Sequence, residues 1–302
     1  AMVGLTAEQV EFYEANGYLV LLEALDPRLV ARFGEIVDEW TARAKGVEQS
    51  DDFFDLEDSH RPDAPRVRRF KWPVRNHPEF DALARSDTVV DYISPLIGDA
   101  MRLSPAENKI NIKAPEYGAA VEWHQDWAIY PHTNDDLLAI GVALDDCEEE
   151  NGPLMVIPGS HKGPLYDHHA GDFFCGAIDP DASGIDFSKA VALTGKQGTM
   201  TIHHARTLHG SALNRSNQPR RLLLIMYAAA DAWPLLGVPD FEEFNSDLVR
   251  GEPSLTPRMT DVPVRIPLPP PPMDGSIYER QSFLENRYFE VYGEKASEAA
   301  AE

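Results

Sequence analysis

A chain of 302 residues, 43% of them hydrophobic, can bury one sizeable core or two small ones. Fifty acidic residues against twenty-seven basic ones leave a formal net charge of −23, which repels phosphate backbones and anionic membranes and argues against nucleic acid as a partner. No apolar run approaches the roughly 18–20 residues of a membrane-spanning helix, and no basic-then-apolar leader opens the sequence. Cys147 and Cys175 make neither a CxxC pair nor a disulfide framework, so the expected setting is the reducing cytoplasm.

In chain order, Thr6 with Gln9 three residues on has the pattern of a capping box, and Gly17 offers a stop, so a first helix is expected between them. Residues 18–22 are a short apolar run of the buried-strand kind. Asp26-Pro27 combines an N-cap with proline at the first helical position, and Leu29, Val30, Phe33, Ile36, Val37 and Trp40 follow at helical spacing. Residues 48–65 are acidic, end in prolines and read as a surface loop. The strand-like stretch RVRRFKW (66–72) holds a basic island of Arg66, Arg68, Arg69 and Lys71. It reads either as the rim of a pocket for an anionic substrate or as a solvated strand. Strand alternation puts Arg66 and Arg68 on one face and Arg69 and Lys71 on the other, and the first pair is the one expected at a pocket mouth.

Residues 87–97 read as a helix stopped at Gly98. From about residue 101 the texture changes to short β-type runs at 101–103, 109–113, 121–126, 137–144, 154–157, 199–203 and 221–228, which predicts a sandwich or barrel. Residues 160–190, rich in Gly, Asp and His, read as a long insertion loop of the lid or binding kind. Residues 231–273 carry many prolines and end in the run 269–272, which favours polyproline geometry. A closing helix is expected over 276–292, then a frayed tail at 295–302. With no internal repeat, the reading is a single domain over 1–302: N-terminal helices at 5–46, a barrel core at about 101–230, and the Pro-rich segment with its closing helix at 231–293.

Two constellations carry chemistry. In Trp123-His124-Gln125-Asp126, a strand would project His124 and Asp126 from one face, supplying an imidazole and a carboxylate side by side. Two such groups with a second histidine make a 2-His-1-carboxylate facial set for iron(II), although an HxD tripeptide alone is equally a hydrogen-bonded pair. Downstream, His209-Gly210-Ser211 ends the strand-like segment 199–208, and Arg220 follows across an Asn-Arg-Ser-Asn-Gln-Pro turn. Read as a hairpin, that turn returns Arg220 to the metal, where a guanidinium clamps a carboxylate with paired hydrogen bonds. His203 and His204 lie close enough to be confused with the third ligand, and an inward histidine there reads as a satisfied core residue. Trp127, Tyr130 and Tyr117 read as pocket wall or core packing, and His161 as a turn residue.

Together these motifs resemble the phytanoyl-CoA dioxygenase family of iron(II)- and 2-oxoglutarate-dependent oxygenases. The resemblance runs from about residue 5 to 231 and is densest in NIKAPEYG (111–118), WHQD (123–126), ENGPLMVIPGSHKG (150–163) and HGSALNRS (209–216) with Arg220. It implies a mainly β fold with flanking helices, a double-stranded β-helix of the jelly-roll, cupin-like kind. It implies Fe(II) on His124, Asp126 and His209, and the cosubstrate 2-oxoglutarate on Arg220 and Ser211, with Asn111 and Lys113 on a strand lining the same pocket. The implied reaction is hydroxylation of a small-molecule or acyl substrate with O2, releasing succinate and CO2. Because Asp126 is present where related halogenases lack the carboxylate, hydroxylation, desaturation or rearrangement is expected rather than halogenation. The alternative is a non-oxidative metal-binding jelly roll, a cupin-like hydrolase, isomerase or binding protein, which leaves Arg220 and Ser211 unexplained. Substrate choice falls to residues 160–190 and 231–273, where no motif is legible.

Overall fold

The computed structural model describes residues 4–273 and 275–292, so the expected tail at 295–302 lies outside the described residues. The chain opens with α1 (Ala7–Asn16), where Thr6 and Gln9 form the expected capping box and Gly17 closes the helix in the left-handed region. β1 (Tyr18–Leu21) and α2 (Pro27–Arg43), capped by Asp26, follow as expected. Next come β2 (Phe54–Leu56), β3 (Val67–Lys71), the short α3 (Pro73–Asn76) and α4 (Pro78–Ala84), then α5 (Asp87–Ile97). The strand-rich region runs through β4 (Met101–Leu103), β5 (Lys109–Lys113), β6 (Val121–His124), α6 (Asp126–Ile129), β7 (Leu137–Ala143) and β8 (Leu154–Val156). β9 (His169–Ala170) and β10 (Phe173–Phe174) make a small hairpin, followed by α7 (Pro180–Ser183) and β11 (Val191–Leu193). The chain then forms β12 (Met200–His204), β13 (His209–Ser211), β14 (Arg220–Ala229), α8 (Phe241–Ser246), β15 (Leu248–Arg250) and α9 (Ile277–Gln281).

The large sheet has the order β1-β12-β7-β14-β5-β3-β2, with β4 beside β14 and β15 beside β4; the small sheet has the order β11-β8-β13-β6. Both contribute to one cavity wall: Asn111, Ala139 and Leu222 come from the large sheet, Val121, Leu154 and His209 from the small one. This is the flattened double-stranded β-helix expected from the sequence.

β14 shows how sequence sets the layers. Its run Leu222–Met226 is apolar throughout, which marks a strand buried on both faces. Leu223, Ile225 and Tyr227 join the main core, where α2, α4 and α5 supply Phe33, Trp40, Phe80 and Ile93. Leu222, Leu224 and Met226 face the cavity instead. The helical layer therefore covers one side of the large sheet and leaves the other for the site. Phe33 stacks on Phe80 with ring centroids 4.7 Å apart, and Trp40 meets Phe70 of β3 at 5.5 Å.

The structure corrects several readings. Residues 48–65 are not simply a surface loop: β2 pairs with β3, and all three of its residues are buried. The acidic Asp55 is the reason, because it is 2% exposed and accepts from Arg68 at 2.7 Å and Arg69 at 3.1 Å. The stretch 199–208 is not one strand, since β12 ends at His204 and a turn separates it from β13. The closing helix expected over 276–292 shrinks to α9, and farther on the backbone N–H of Tyr288 donates to the Glu122 carboxylate at 3.0 Å instead of to a helical turn.

Replacing Asp55 with Ala leaves two buried guanidinium groups short of a counter-charge. We expect a loss of about 3–5 kcal/mol in urea unfolding, far beyond an exposed Asp→Ala control such as Asp63.

Candidate active site

β6 and β13 pair antiparallel with His124 directly opposite His209, and the ring centroids lie 4.1 Å apart. Asp126 is not on the strand, as the sequence suggests, but is the first residue of α6. Gln125 keeps extended backbone between them (φ −120°, ψ 124°), so the carboxylate still returns to the imidazole side. One Asp126 oxygen lies 3.6 Å from His124 Nε2 and 3.6 Å from His209 Nε2, and the three donor atoms all fall within 4.8 Å of one another.

The tautomers follow from the hydrogen bonds. His124 Nδ1 is 2.8 Å from the Glu122 carbonyl and His209 Nδ1 is 2.9 Å from the Thr207 carbonyl. A carbonyl only accepts, so each Nδ1 carries a proton and each Nε2 is the nitrogen turned to the cavity. Burial and the neighbouring His124 push the His209 imidazole well below its ordinary pKa. Burial works against the Asp126 carboxylate, but the adjoining His209, His124 and His203 hold it well below the usual range. A neutral His209 imidazole and an ionised Asp126 carboxylate are the protonation states that bind a cation.

His203, which the sequence suggests is a core residue, lines the same cavity with Nε2 3.3 Å from the second Asp126 oxygen. Alternation on β12 marks one of His203 and His204 as inward, but not which group it meets. His204 turns instead toward Asp135, 3.9 Å away.

At the other end of the cavity stands Arg220. β13 and β14 do not form a hairpin: they belong to different sheets, and the connecting turn crosses between them. Arg220 reaches the site from across the barrel, opposite Lys113 of β5. Its Nε and one terminal nitrogen donate to the Gly152 carbonyl at 3.0 and 2.5 Å, while the other terminal nitrogen is buried without a partner. Ser211 and Asn111 line the same space, and the side-chain amide oxygen of Asn111 is likewise buried and unpartnered. Lys113 is placed differently. Its ammonium donates to the carbonyls of Ser211, at 3.1 Å, and of Ala212, and it does not line the cavity. The neighbouring Arg221 faces the other way, to Asp145 at 2.7 Å and Asp38 at 2.8 Å.

The basic island is not a solvated surface. Arg66 stacks over Tyr117, Arg68 is buried against Asp55 and Glu279, and Lys71 donates to the Asp51 carbonyl. Arg69, bonded to Asp55 and Glu107, is the one of the four that lines a cavity adjoining Asp126, which corrects the expectation for Arg66 and Arg68. His161 is structural, with Nε2 3.1 Å from the Glu14 carbonyl of α1. Trp127 is fully buried and donates to the Pro263 carbonyl, whereas Tyr130 lines the site.

The family model for phytanoyl-CoA dioxygenase matches residues 13–222. The chain belongs to the phytanoyl-CoA dioxygenase family. It is 40% identical over 288 residues to the probable alpha-ketoglutarate-dependent hypophosphite dioxygenase of Stutzerimonas stutzeri, covering 94% of this chain and 99% of that protein. It is 26% identical to the ectoine dioxygenase of Bordetella bronchiseptica, over 74% of this chain and 75% of that one. EctD from S. alaskensis with bound Fe has the same fold, with a TM-score of 0.63 at 23% identity over 87% of this chain and 89% of that one. These relatives give no support to the non-oxidative alternative.

For this member of the phytanoyl-CoA dioxygenase family, Gly152 is the residue on which Arg220 hangs. Its φ of +78° and the Ala212 oxygen 2.6 Å from where a Cβ would stand both exclude a side chain. Gly152→Ala is expected to cost roughly 2–4 kcal/mol in urea unfolding. Gly171→Ala, also at positive φ but with open space around it, should cost only about 1 kcal/mol.

Proposed function

We propose that His124, Asp126 and His209 hold iron(II), and that 2-oxoglutarate lies between the iron and Arg220, Ser211 and Asn111, in a dioxygenase that oxidises a small molecule. The observation that carries this reading is the converging triad, with its two Nε2 atoms and one carboxylate oxygen, in a cavity that also contains an unpartnered guanidinium nitrogen. The donor set suits iron(II) with open positions, and a dicarboxylate supplies the acceptor that the Arg220 nitrogen lacks. Bound iron with 2-oxoglutarate and O2 supplies the oxidising power, leaving succinate and CO2 as by-products.

The protein's own residues do the rest. The Glu122 and Thr207 carbonyls lock the two imidazoles, so the ligands need no rearrangement to accept metal. Gly152 fixes the Arg220 plane, and Lys113 acts through the carbonyls of Ser211 and Ala212, holding that strand against β5. Leu222, Leu224 and Met226 line the wall between with apolar surface, where a charged hydrogen bond is stronger than in water. We place the enzyme in the cytoplasm, on the ground that Cys147 and Cys175 are buried free thiols. Hypophosphite, on which the 40%-identical relative is named to act, is the first substrate to try.

Anaerobic titration with iron(II) and then 2-oxoglutarate should produce a weak visible charge-transfer band; a protein that binds neither refutes the proposal. His124→Ala and Asp126→Ala should each abolish the band and all iron-dependent succinate formation while the circular dichroism spectrum stays native. Arg220→Ala should weaken 2-oxoglutarate binding by roughly 30- to several-thousand-fold, the equivalent of about 2–5 kcal/mol. Arg221→Ala should leave that affinity alone and lower stability instead, because its partners are Asp145 and Asp38.

A further inference from the structure

The cavity has a second lobe. Glu107, Lys109, Asp126 and Tyr130 border both lobes, so the two spaces meet beside the triad. The first lobe runs to Ser211 and Arg220; the second opens past Arg69, Phe174 and Arg280. A cosubstrate anchored on Arg220 leaves the second lobe for the molecule that is oxidised.

What lines that lobe is unusual for so acidic a chain. Arg69 on β3 stands directly opposite Asn111 of β5, and Lys109 is two residues along β5 on the same face. Two cations on neighbouring strands at a diagonal position repel each other, and more strongly where water is scarce. Arg69 is partly compensated by Asp55 and Glu107, at 3.1 and 3.2 Å, but its Nε is buried with no hydrogen-bond partner. Among the described residues the Lys109 ammonium finds no hydrogen-bond acceptor and no ion-pair partner. Burial and Arg69 push it below the ordinary lysine value, against the pull of Asp126 and Glu107. Burial keeps the Tyr130 hydroxyl protonated, raising it to about 12, so it too is a donor at the border. A half-buried ammonium that Asp126 and Glu107 attract only at longer range, beside a second cation, still has room for an anionic ligand as its direct partner.

We propose that Lys109 and Arg69, with Arg280 also lining the lobe, form an anion subsite beside Asp126, and that the substrate oxidised here is a compact oxyanion, a carboxylate or a phosphorus oxyanion. The proposal rests on the placement of iron and 2-oxoglutarate given above. Its recognition logic is short-range: a net charge of −23 disfavours anions at a distance, so selection is left to the few cations inside.

The test is calorimetric titration of phosphite, phosphate and acetate into the purified protein, with and without iron(II) and 2-oxoglutarate, alongside titration of 2-oxoglutarate itself. At least one of the three anions should bind saturably. Lys109→Met should weaken that anion at least about tenfold, and Lys109→Arg should keep it within about threefold, with 2-oxoglutarate affinity altered by less than about threefold in both. Arg69→Gln should weaken the anion as well; because Arg69 also braces Asp55, the discriminating variants are the two at Lys109. Absence of saturable binding for all three anions overturns the proposal, as does unchanged binding in Lys109→Met. Loss of 2-oxoglutarate in Lys109→Met assigns the lysine to the cosubstrate and also overturns it. Failure of the underlying reading shows separately, as a 2-oxoglutarate affinity that Arg220→Ala does not change.

Discussion

The antiparallel register of β6 against β13 sets His124 opposite His209, and the rest of the site is arranged around that pairing. Strand side chains alternate, so a slip of one residue would turn one imidazole out of the cavity. Several contacts pin the register. β8 holds the other edge of β13, with Val156 opposite His209, and the Ser160 hydroxyl accepts the Leu208 N–H at 2.8 Å. Gly210 fits where a Cβ would come within 3.0 Å of the Phe289 ring, and that ring stacks on Trp123 with centroids 5.8 Å apart. The register then shifts between His209 and Ser211, as at a bulge, and both side chains still line the cavity.

The large sheet completes the site by the same alternation. Along β14, Arg220 turns to the cavity and Arg221 to the helical layer, where it ties Asp145 to Asp38 of α2. Further along, Leu223 and Ile225 pack on the helices while Leu222 and Leu224 wall the site. One strand thus couples the main core to the Arg220 end of the cavity. Lys113 closes the barrel from the opposite side, since its ammonium bonds to the Ser211 and Ala212 carbonyls and its own carbonyl accepts from Asn214 at 2.8 Å. This closure costs a buried ammonium, and burial with Arg220 nearby pushes its pKa well down.

What is legible in the sequence is whatever a single element expresses by itself. The caps of α1 and α2, the apolar stripe of α2 and the strand runs of β5, β7 and β14 are local patterns, and they appear as expected. His124, Asp126 and His209 are legible because the resemblance fixes a combination that no single tripeptide fixes. The misreadings share one cause: they depend on a partner elsewhere in the chain. β2 has the composition of an acidic loop because the charges that bury Asp55 lie on β3. Arg220 has the spacing of a hairpin's return strand because spacing does not say which sheet a strand joins. Arg69 and Lys109 lie on strands that become neighbours only when β3 pairs with β5, so their meeting leaves no sequence signal.

The segments least legible in the sequence are fastened to the residues that flank the triad. Gln125, between His124 and Asp126, donates to the carbonyls of Pro164 and Arg206 and accepts the Tyr166 N–H; its backbone N–H donates to His168. Burial pushes that imidazole down to about 3, so it remains a neutral acceptor. Glu122, two residues before His124, binds the backbone of Tyr288, and its own N–H donates to Gln281. The proline-rich stretch adds acceptors rather than strand partners: the Pro263 carbonyl takes the Trp127 indole and the Pro269 carbonyl takes the Phe174 N–H. Prolines cannot extend a ladder, but their carbonyls still accept, which lets an irregular segment lie along the site without needing a sheet register. The second lobe is therefore bounded by segments whose geometry is referenced to the stretch 122–127, which bears two of the three triad residues. A substitution in those segments can therefore reshape the second lobe without moving the triad.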